Sequence, residues 1–556
     1  MTGERLIYLP LGGAGEVGMN CYVYGYGAPG RERLIVVDLG VTFPDMETSP
    51  GVDLILPDVS WLAERRDRIE AIFITHAHED HVGGLGHLWS RIHAPVYARR
   101  FTAHIARRKM EEQGQDPLDV HTVEAWPAAV EAGPMTVRFL PVSHSIPESA
   151  ALVIDTPAGR IVHTGDFKLD ETPVLGDPHD PALWEEVSRG GVRALVCDST
   201  NVGVTRPGRS ETSIRPAIRD LIAGHDGMVV ATTFASNIAR LQTLAEAGRD
   251  AGRSVCIMGR AMKRMITAGV ETGLLDDFPH TITPEDALEV PRSSLMLIVT
   301  GSQGERRAAS AQLGRGRYLG HEMKEGDLFL FSSRTIPGNE AGVIRIINDL
   351  SQLGVDVIDD STDAYHVSGH ANRPDLERMH KMVRPSMLIP MHGEHRMLRA
   401  HAKLAEAGGL ASLIAVNGTM VDLAGNAPRV VERIETGRVY VDGAVRIGAM
   451  DGVVRDRIRM ALNGHAMVTL IIDEDGAVLG DPWVETMGLP EIGRSNTPLV
   501  EVLEADLSQL MGRVKGRTLA DDDALDTEIR RVLRNTANDE VGRKPEVTVV
   551  ISRLAA

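Results

Sequence analysis

The segment His76-Ala77-His78-Glu79-Asp80-His81 constrains this chain more than any other. It follows the β-rich run Ala71–Thr75 and precedes Val82-Gly83-Gly84, which places it just beyond the carboxyl end of a strand. Imidazoles and a carboxylate packed this closely are what a zinc site takes, neutral ring nitrogen and carboxylate oxygen at about 2 Å. The placement recurs: His144 in Pro141-Val142-Ser143-His144, Asp166 in His163-Thr164-Gly165-Asp166 and His392 in Pro390-Met391-His392-Gly393 each follow an apolar run. Taken singly, Asp166 reads as a turn aspartate after glycine and His144 as a framework histidine. Taken together they require a fold that brings strand ends, some far apart in sequence, to one rim.

His76, His78, Asp80, His81, His144, Asp166 and His392 are too many ligands for one catalytic zinc, which takes three protein ligands and a water. They suit two ions, with Asp166 bridging. Two ions clamp the attacking and leaving oxygens of an in-line displacement, so the chemistry expected is metal-assisted hydrolysis. Zn²⁺, two per chain, is the default from these ligands, and Mn²⁺ is compatible with the same mixed nitrogen and oxygen set.

The rhythm of the chain sets its organisation. Up to residue 206, short β-rich runs such as Cys21–Tyr26, Leu34–Asp38 and Met135–Pro141 alternate with helical patterns such as Ser60–Arg68 and Phe101–Gln113. From 207 to 365, apolar strands at Met228–Phe234, Ser254–Met258, Ser294–Thr300, Asp327–Ser332 and Val355–Asp359 alternate with helices at Ser236–Gly252, Arg260–Thr272 and Asn339–Leu353, with Ser236 expected as an N-cap. That pattern predicts a parallel sheet covered on both faces, which binds ligands at the carboxyl ends of its strands. The short-strand style returns over 366–436. A linker is expected over 437–455. An α/β segment over 456–556 has strands Ala466–Ile472, Val478–Val484 and Pro545–Ile551 and helices Leu499–Val514 and Asp521–Asn535.

The net charge is −18, so a polyanionic substrate needs a local basic groove or metal ions. Aromatics at 4% exclude a wide base-stacking platform. Basic groups cluster at Arg99, Arg100, Arg107, Arg108 and Lys109, and again around Arg253–Arg264 and Arg306–Arg317; such runs are commonly solvated helix faces. Cys21, Cys197 and Cys256 lie too far apart for a disulfide framework and fit a reducing, cytoplasmic setting. No secretory pattern opens the chain and no apolar run reaches the ~18–20 residues of a membrane span, so no membrane partner is expected. Gly13-Ala14-Gly15-Glu16-Val17-Gly18 matches GxGxxG, but a strand rather than a helix follows it, which rejects a dinucleotide site.

The ligand series His76-x-His78-x-Asp80-His81, His144, Asp166, His392 resembles that of the metallo-β-lactamase fold, and the βαβ block between Asp166 and His392 resembles the β-CASP group of nucleic-acid nucleases. GGAGEVGMN at 12–20, PGVDLILPD at 50–58, CDSTN at 197–201, FASNIARLQ at 234–242, IPGNE at 336–340, HVSGHA at 366–371 and PMHGE at 390–394 are similar to stretches of the ribonuclease J family over about residues 8–440. The resemblance implies an α/β architecture: a metallo-β-lactamase αββα sandwich, an inserted β-CASP parallel-sheet domain and a small C-terminal α/β domain. It implies that Asp38 orients a metal ligand, that His366, Val367, Ser368, Gly369 and His370 bind the substrate phosphate, and that Asp80 belongs to the catalytic set. It also implies that His370 acts as general acid with Glu211 orienting its ring, although phosphate binding without proton transfer suits His370 equally. The activity implied is 5′→3′ exoribonuclease action on single-stranded RNA with a 5′-monophosphate, with added endonuclease activity, in mRNA decay and rRNA maturation. The partners implied are further copies of the chain, as homodimer or homotetramer through the last ~100 residues, and other proteins of RNA decay.

Three rivals stand beside this reading. A small-molecule hydrolase of lactones or thioesters leaves the long polar-ended insertion unused. An RNA-binding scaffold with a dead metal site leaves the filled ligand set unused. A DNA nuclease of the same group is the hardest to separate, because no residue in the sequence identifies itself as a reader of the 2′-hydroxyl.

Overall fold

A computed structural model describes residues 3–336, 338–514 and 516–554; Pro337 of the IPGNE stretch lies outside them. The chain divides into two compact units, one of residues 1–42 and 56–438, the other of 43–55 and 439–556.

Three large sheets carry the first unit, beside two short two-stranded ones among the described residues. An eight-stranded sheet runs in the order Arg429–Arg433, Thr419–Asp422, Arg5–Gly12, Cys21–Gly27, Arg33–Val37, Ile69–Ile74, Val96–Ala98, Val120–Thr122. A seven-stranded sheet runs Ala411–Ser412, Met387–Met391, Ala194–Asp198, Gly159–His163, Ala150–Thr156, Met135–Pro141, Ala129–Ala132. The two pack face to face: Tyr8, Tyr24 and Phe73 of the first meet Phe139, Leu152 and Ile389 of the second in one buried cluster. The outer face of the seven-stranded sheet is covered by helices Pro181–Ser188, Arg373–Val383 and His395–Ala407 through Trp184, Met379 and Ala405. Alternate side chains along each strand therefore serve two cores, which is why these strands read as continuously apolar.

The inserted block forms a fully parallel five-stranded sheet, Ser254–Met258, Leu295–Val299, Val229–Thr232, Leu328–Phe331, Asp356–Ile358. Val230, Leu297 and Phe329 pack on one side with Ile346 and Leu350, whereas Val229, Met296 and Leu330 pack on the other with Leu241 and Leu244. Helix Ile238–Asp250 is capped by Asn237, whose side-chain oxygen accepts from Arg240 N at 3.0 Å. Ser236, the expected cap, lies one residue too early to reach that amide.

In the second unit, strands Trp483–Met487, His465–Ile472 and Glu546–Arg553 form a sheet whose Val468, Leu470 and Ile472 pack on Leu499, Leu503 and Leu507 of one helix and Leu525, Ile529 and Leu533 of another. Both helices show the four-residue spacing of an apolar stripe. The strand expected at Val478–Val484 is displaced to Trp483–Met487, because Pro482 has no N–H for the ladder and Gly480 turns the chain at φ 76°. Residues 437–455 are not the expected linker. Arg438–Asp442 and Val445–Gly448 pair as a hairpin, and helix Val453–Asn463 begins within the stretch. Residues 43–55, expected in the first domain, belong to this unit, where Asp53 N donates to Val441 O at 2.8 Å.

Candidate metal centre

Every expected ligand follows the carboxyl end of a strand in one of the two packed sheets. His76, His78, Asp80 and His81 follow Ile69–Ile74, His144 follows Met135–Pro141, Asp166 follows Gly159–His163 and His392 follows Met387–Met391. The fold collects them into two quartets. His76, His78, His144 and Asp166 form one, Asp80, His81, Asp166 and His392 the other, with the donor atoms of each within 4.8 Å of one another. Asp166 Oδ2 is shared, 3.1 Å from His392 Nε2, 3.3 Å from His81 Nε2 and 3.7 Å from both His76 Nε2 and His144 Nε2.

The residues behind the ligands fix which ring nitrogen faces inward. Asp38 Oδ2 accepts from His81 Nδ1 at 2.7 Å, Thr75 Oγ1 accepts from His76 Nδ1 at 3.0 Å, and the carbonyl of Gly369 accepts from His144 Nδ1 at 2.7 Å. Thr75 is itself held by Asp38, through its N–H at 2.8 Å and its hydroxyl at 2.9 Å. Each proton turned outward leaves a lone pair on the inward nitrogen, as a metal ligand needs. Asn20, from the glycine-rich stretch, donates to the Asp80 carbonyl at 3.0 Å. Gly13 allows that approach: at φ +83°, a side chain there would collide with the Asn20 amide.

This donor set fits metal ions. His76 Nε2 and His144 Nε2 each lie 3.1 Å from His78 Nδ1, a convergence of lone-pair nitrogens with more acceptors than protons. Burial pulls His76 and His144 well below the usual histidine range and His78 down to about 4, so these rings are neutral. Burial opposes charge on Asp166 too, but His392 and His81 outweigh it and hold the carboxyl well below its usual range. Among the described residues, Asp166 Oδ1 and His392 Nδ1 have no hydrogen-bond partner. Neutral imidazoles at His76, His78 and His144 beside an ionised, half-partnered carboxylate are the donor chemistry of a metal site.

His370 joins this centre, its ring 5.1 Å from His144 and 5.7 Å from His392. Its partner is Asp198, the last residue of strand Ala194–Asp198, with Oδ2 2.8 Å from His370 Nδ1. Burial lowers the His370 pKa, but Asp198, with Asp166 and Asp80 behind it, raises it to about 9. Glu211, expected in that role, is elsewhere. It forms a two-pronged ion pair with Arg240 at 2.5 and 2.9 Å, and its N–H donates to Asp170. The 366–370 segment is likewise only partly as expected. His366 Nδ1 lies 3.3 Å from Arg240, Val367 packs into the core of the inserted domain, and Ser368 Oγ accepts from Asn201 at 2.8 Å. Gly369 is glycine because a side chain would strike the His144 ring at 2.8 Å.

The basic clusters are partly consumed by the fold. Arg253 donates to the carbonyl of Gly227, Arg107 to that of Val120, and Lys109 pairs with Glu79. Arg260, Lys263, Arg306, Arg307 and Arg315 remain exposed.

Arg240 is fully buried and also donates to the carbonyl of Ser332 at 2.6 Å, so it ties the first turn of the inserted domain to the carboxyl end of strand Leu328–Phe331. Arg240→Met strands the Glu211 charge and is expected to cost about 3–5 kcal/mol in denaturant unfolding, with Arg240→Met/Glu211→Gln recovering most of it. Burial pushes the Glu211 carboxyl up, but Arg240 outweighs it and holds the group below its usual range. A depressed carboxyl stabilises above its unfolded value and loses that contribution as pH falls through the folded value. The pair therefore weakens only in acid.

These features define a metallohydrolase of the metallo-β-lactamase fold carrying an inserted α/β domain. Family profiles agree: the metallo-beta-lactamase superfamily matches residues 14–225, the ribonuclease J beta-CASP domain 226–350, the Zn-dependent metallo-hydrolase RNA specificity domain 356–415 and the ribonuclease J C-terminal domain 452–554. A ribonuclease J of Sinorhizobium meliloti is 41% identical over 557 residues, covering 99% of this chain and 98% of that one. Ribonuclease J of Mycobacterium tuberculosis is 33% identical over 99% of this chain and 98% of its own, and that of Thermus thermophilus 35% over 85% and 84%. A solved Enterococcus faecalis protein of unknown function shares the fold, with a TM-score of 0.51 at 16% identity, over 75% of this chain and all of that one. The chain belongs to the ribonuclease J family and is a metal-dependent RNA nuclease. No helix among the described residues is long and apolar enough to cross a membrane.

Proposed function

We propose that the chain holds two zinc ions, one in each quartet with Asp166 between them, and cleaves single-stranded RNA to leave 5′-phosphate ends. The shared Asp166 carboxylate carries this reading. Bound there, two ions supply a strong nucleophile near neutral pH and neutralise charge on the scissile phosphate; Mn²⁺ is an alternative occupant. His370, its Nδ1–H held by Asp198, presents Nε2 to the leaving oxygen and gives it a proton. The 366–370 segment and the exposed arginines and lysine of the inserted domain receive the RNA backbone.

In this reading the enzyme works 5′→3′ from a 5′-monophosphate, also cuts internally, and serves mRNA decay and rRNA maturation in the cytoplasm beside other RNA-decay proteins. Body-labelled RNA with a 5′-monophosphate, 5′-triphosphate or 5′-hydroxyl, run with a DNA copy and with chelator, tests it. Mononucleotides released fastest from the monophosphate RNA, and lost with chelator, are expected. Equal cutting of DNA would overturn the RNA preference, and equal rates on all three RNA ends the monophosphate preference.

The second unit assembles the chain as a dimer or tetramer. On the sheet face away from its helices, Ile471, Trp483, Met487 and Val550 are exposed, an apolar surface suited to burial against another copy. A chain ending near Met450 is expected to sediment as a monomer; one that keeps the native oligomeric state would contradict this assignment.

A further inference from the structure

Cys197, His380 and His401 form a buried cluster outside the metal centre, with donor atoms within 4.8 Å of one another. Its geometry suits a proton rather than an ion. The Nε2 atoms of His380 and His401 are 3.0 Å apart, the ring planes differ by 8° and the centroids lie 5.2 Å apart, so the rings meet edge to edge. Each nitrogen points at the other instead of converging on a third point about 2 Å from both, as a shared ion requires.

The other nitrogen of His401, Nδ1, is 2.9 Å from Ser199 Oγ, and that hydroxyl donates to the Cys197 carbonyl at 3.3 Å. One arrangement of protons serves all these contacts, with His401 Nδ1–H donating to Ser199 and His401 Nε2 accepting from His380 Nε2–H. Burial supports neutral rings, bringing His380 down to about 4 and His401 well below the usual range.

Ser199 begins a short turn that touches both halves of the site. The carbonyl of His392 accepts from Ser199 N–H at 3.4 Å, and Thr200 Oγ1 lies 3.2 Å from it with its one proton committed to Asp198. Thr200 donates to Asp198 Oδ1, from N at 2.9 Å and Oγ1 at 2.7 Å, leaving Oδ2 to His370. His392 stands at φ 48°, in the left-handed region that few non-glycine residues occupy.

We infer that His401 is a positioning residue: through Ser199 it pins the 198–200 turn, which fixes His392 in its left-handed conformation and aims Asp198 at His370. His380 closes the chain from the neighbouring helix. The inference rests on the two-ion reading of His392.

The full-length protein is compared as wild type, His401→Phe, His401→Gln, His401→Asn and Ser199→Ala. An asparagine amide falls near the place of Nδ1 and keeps the Ser199 contact; a glutamine amide falls near Nε2 and loses it. The readouts are zinc retained per chain against graded chelator, kcat and KM on one single-stranded RNA, and thermal unfolding. His401→Phe, His401→Gln and Ser199→Ala are expected to lower kcat about tenfold at near-constant KM and to release zinc at about tenfold less chelator. His401→Asn is expected to recover most of both. Asn and Gln variants that behave alike, or a fall in melting temperature with zinc retention and kcat at wild-type values, would overturn the inference. So would a third zinc in the wild type that His401→Phe loses. A wild type that holds no zinc and cleaves without metal would instead overturn the two-ion reading, and this inference with it.

Discussion

Asp166→Asn is expected to abolish metal retention and RNA cleavage together, with the rate falling on the order of 10³-fold or more, since an ion supplies several kcal/mol to the transition state. The side chain keeps its size, so the packing around it is undisturbed. What it loses is charge and one of two equivalent oxygens, at the position nearest both quartets. Asp166 Oδ2 has four imidazoles within 3.7 Å, two from each quartet, and no other carboxylate is shared between the two. Asp80→Asn makes the comparison sharp. Asp80 belongs to only one quartet, so its loss is expected to release one ion and leave the His76–His78–His144 set occupied. Metal content by elemental analysis, measured beside initial rates, separates the two variants. An Asp166→Asn protein that kept two ions and cleaved within tenfold of wild type would remove the bridging role.

Asp198→Asn is the second large effect. The amide preserves shape but no longer anchors a positive His370 ring, and loss of a positioned general acid costs about 10²–10⁴ in kcat. Because Asp198 belongs to neither quartet, metal content and KM are expected to hold while kcat falls. Glu211→Gln, measured alongside, is expected to leave kcat nearly unchanged and to show its effect in stability, because its partner is the buried Arg240 rather than His370. A reversed result, with Glu211→Gln collapsing kcat and Asp198→Asn sparing it, would return the orienting role to Glu211.

The contrast between these two carboxylates marks where the sequence stops being legible. The metal ligands announce themselves because each follows an apolar run, and strands of packed sheets end at a common rim. Asp198 also ends a strand, within the recognised CDSTN stretch, yet nothing local says which histidine it faces. That is decided by the folded chain, which brings His370 from 172 residues further on to 2.8 Å from Asp198 Oδ2. Glu211 and Arg240 are 29 residues apart, and their pairing is a property of the folded junction. The parallel sheet of the inserted domain was readable from its doubly apolar strands, whereas the 438–448 hairpin, with few buried residues, carries no such pattern. Val367 illustrates the opposite error: it lies inside a stretch associated with phosphate, but its side chain serves a core.

The left-handed backbone at Asp38 and His392, φ 63° and 48°, is only faintly legible, because Asp and His reach this region more often than most residues but seldom do so. It is imposed by hydrogen bonds from elsewhere in the fold, and it aims one residue at His81 and the other at Asp166.

If two ions share the Asp166 carboxylate, they act on RNA as a unit. Stripping the full-length protein with chelator and returning Zn²⁺ stepwise, with cleavage of a 5′-monophosphate RNA followed at each step, tests it most directly. Activity is expected to stay low through the first equivalent and to rise as the second binds, with Asp166→Asn inactive throughout. Full activity at one equivalent per chain, or cleavage that survives complete removal of metal, would contradict it.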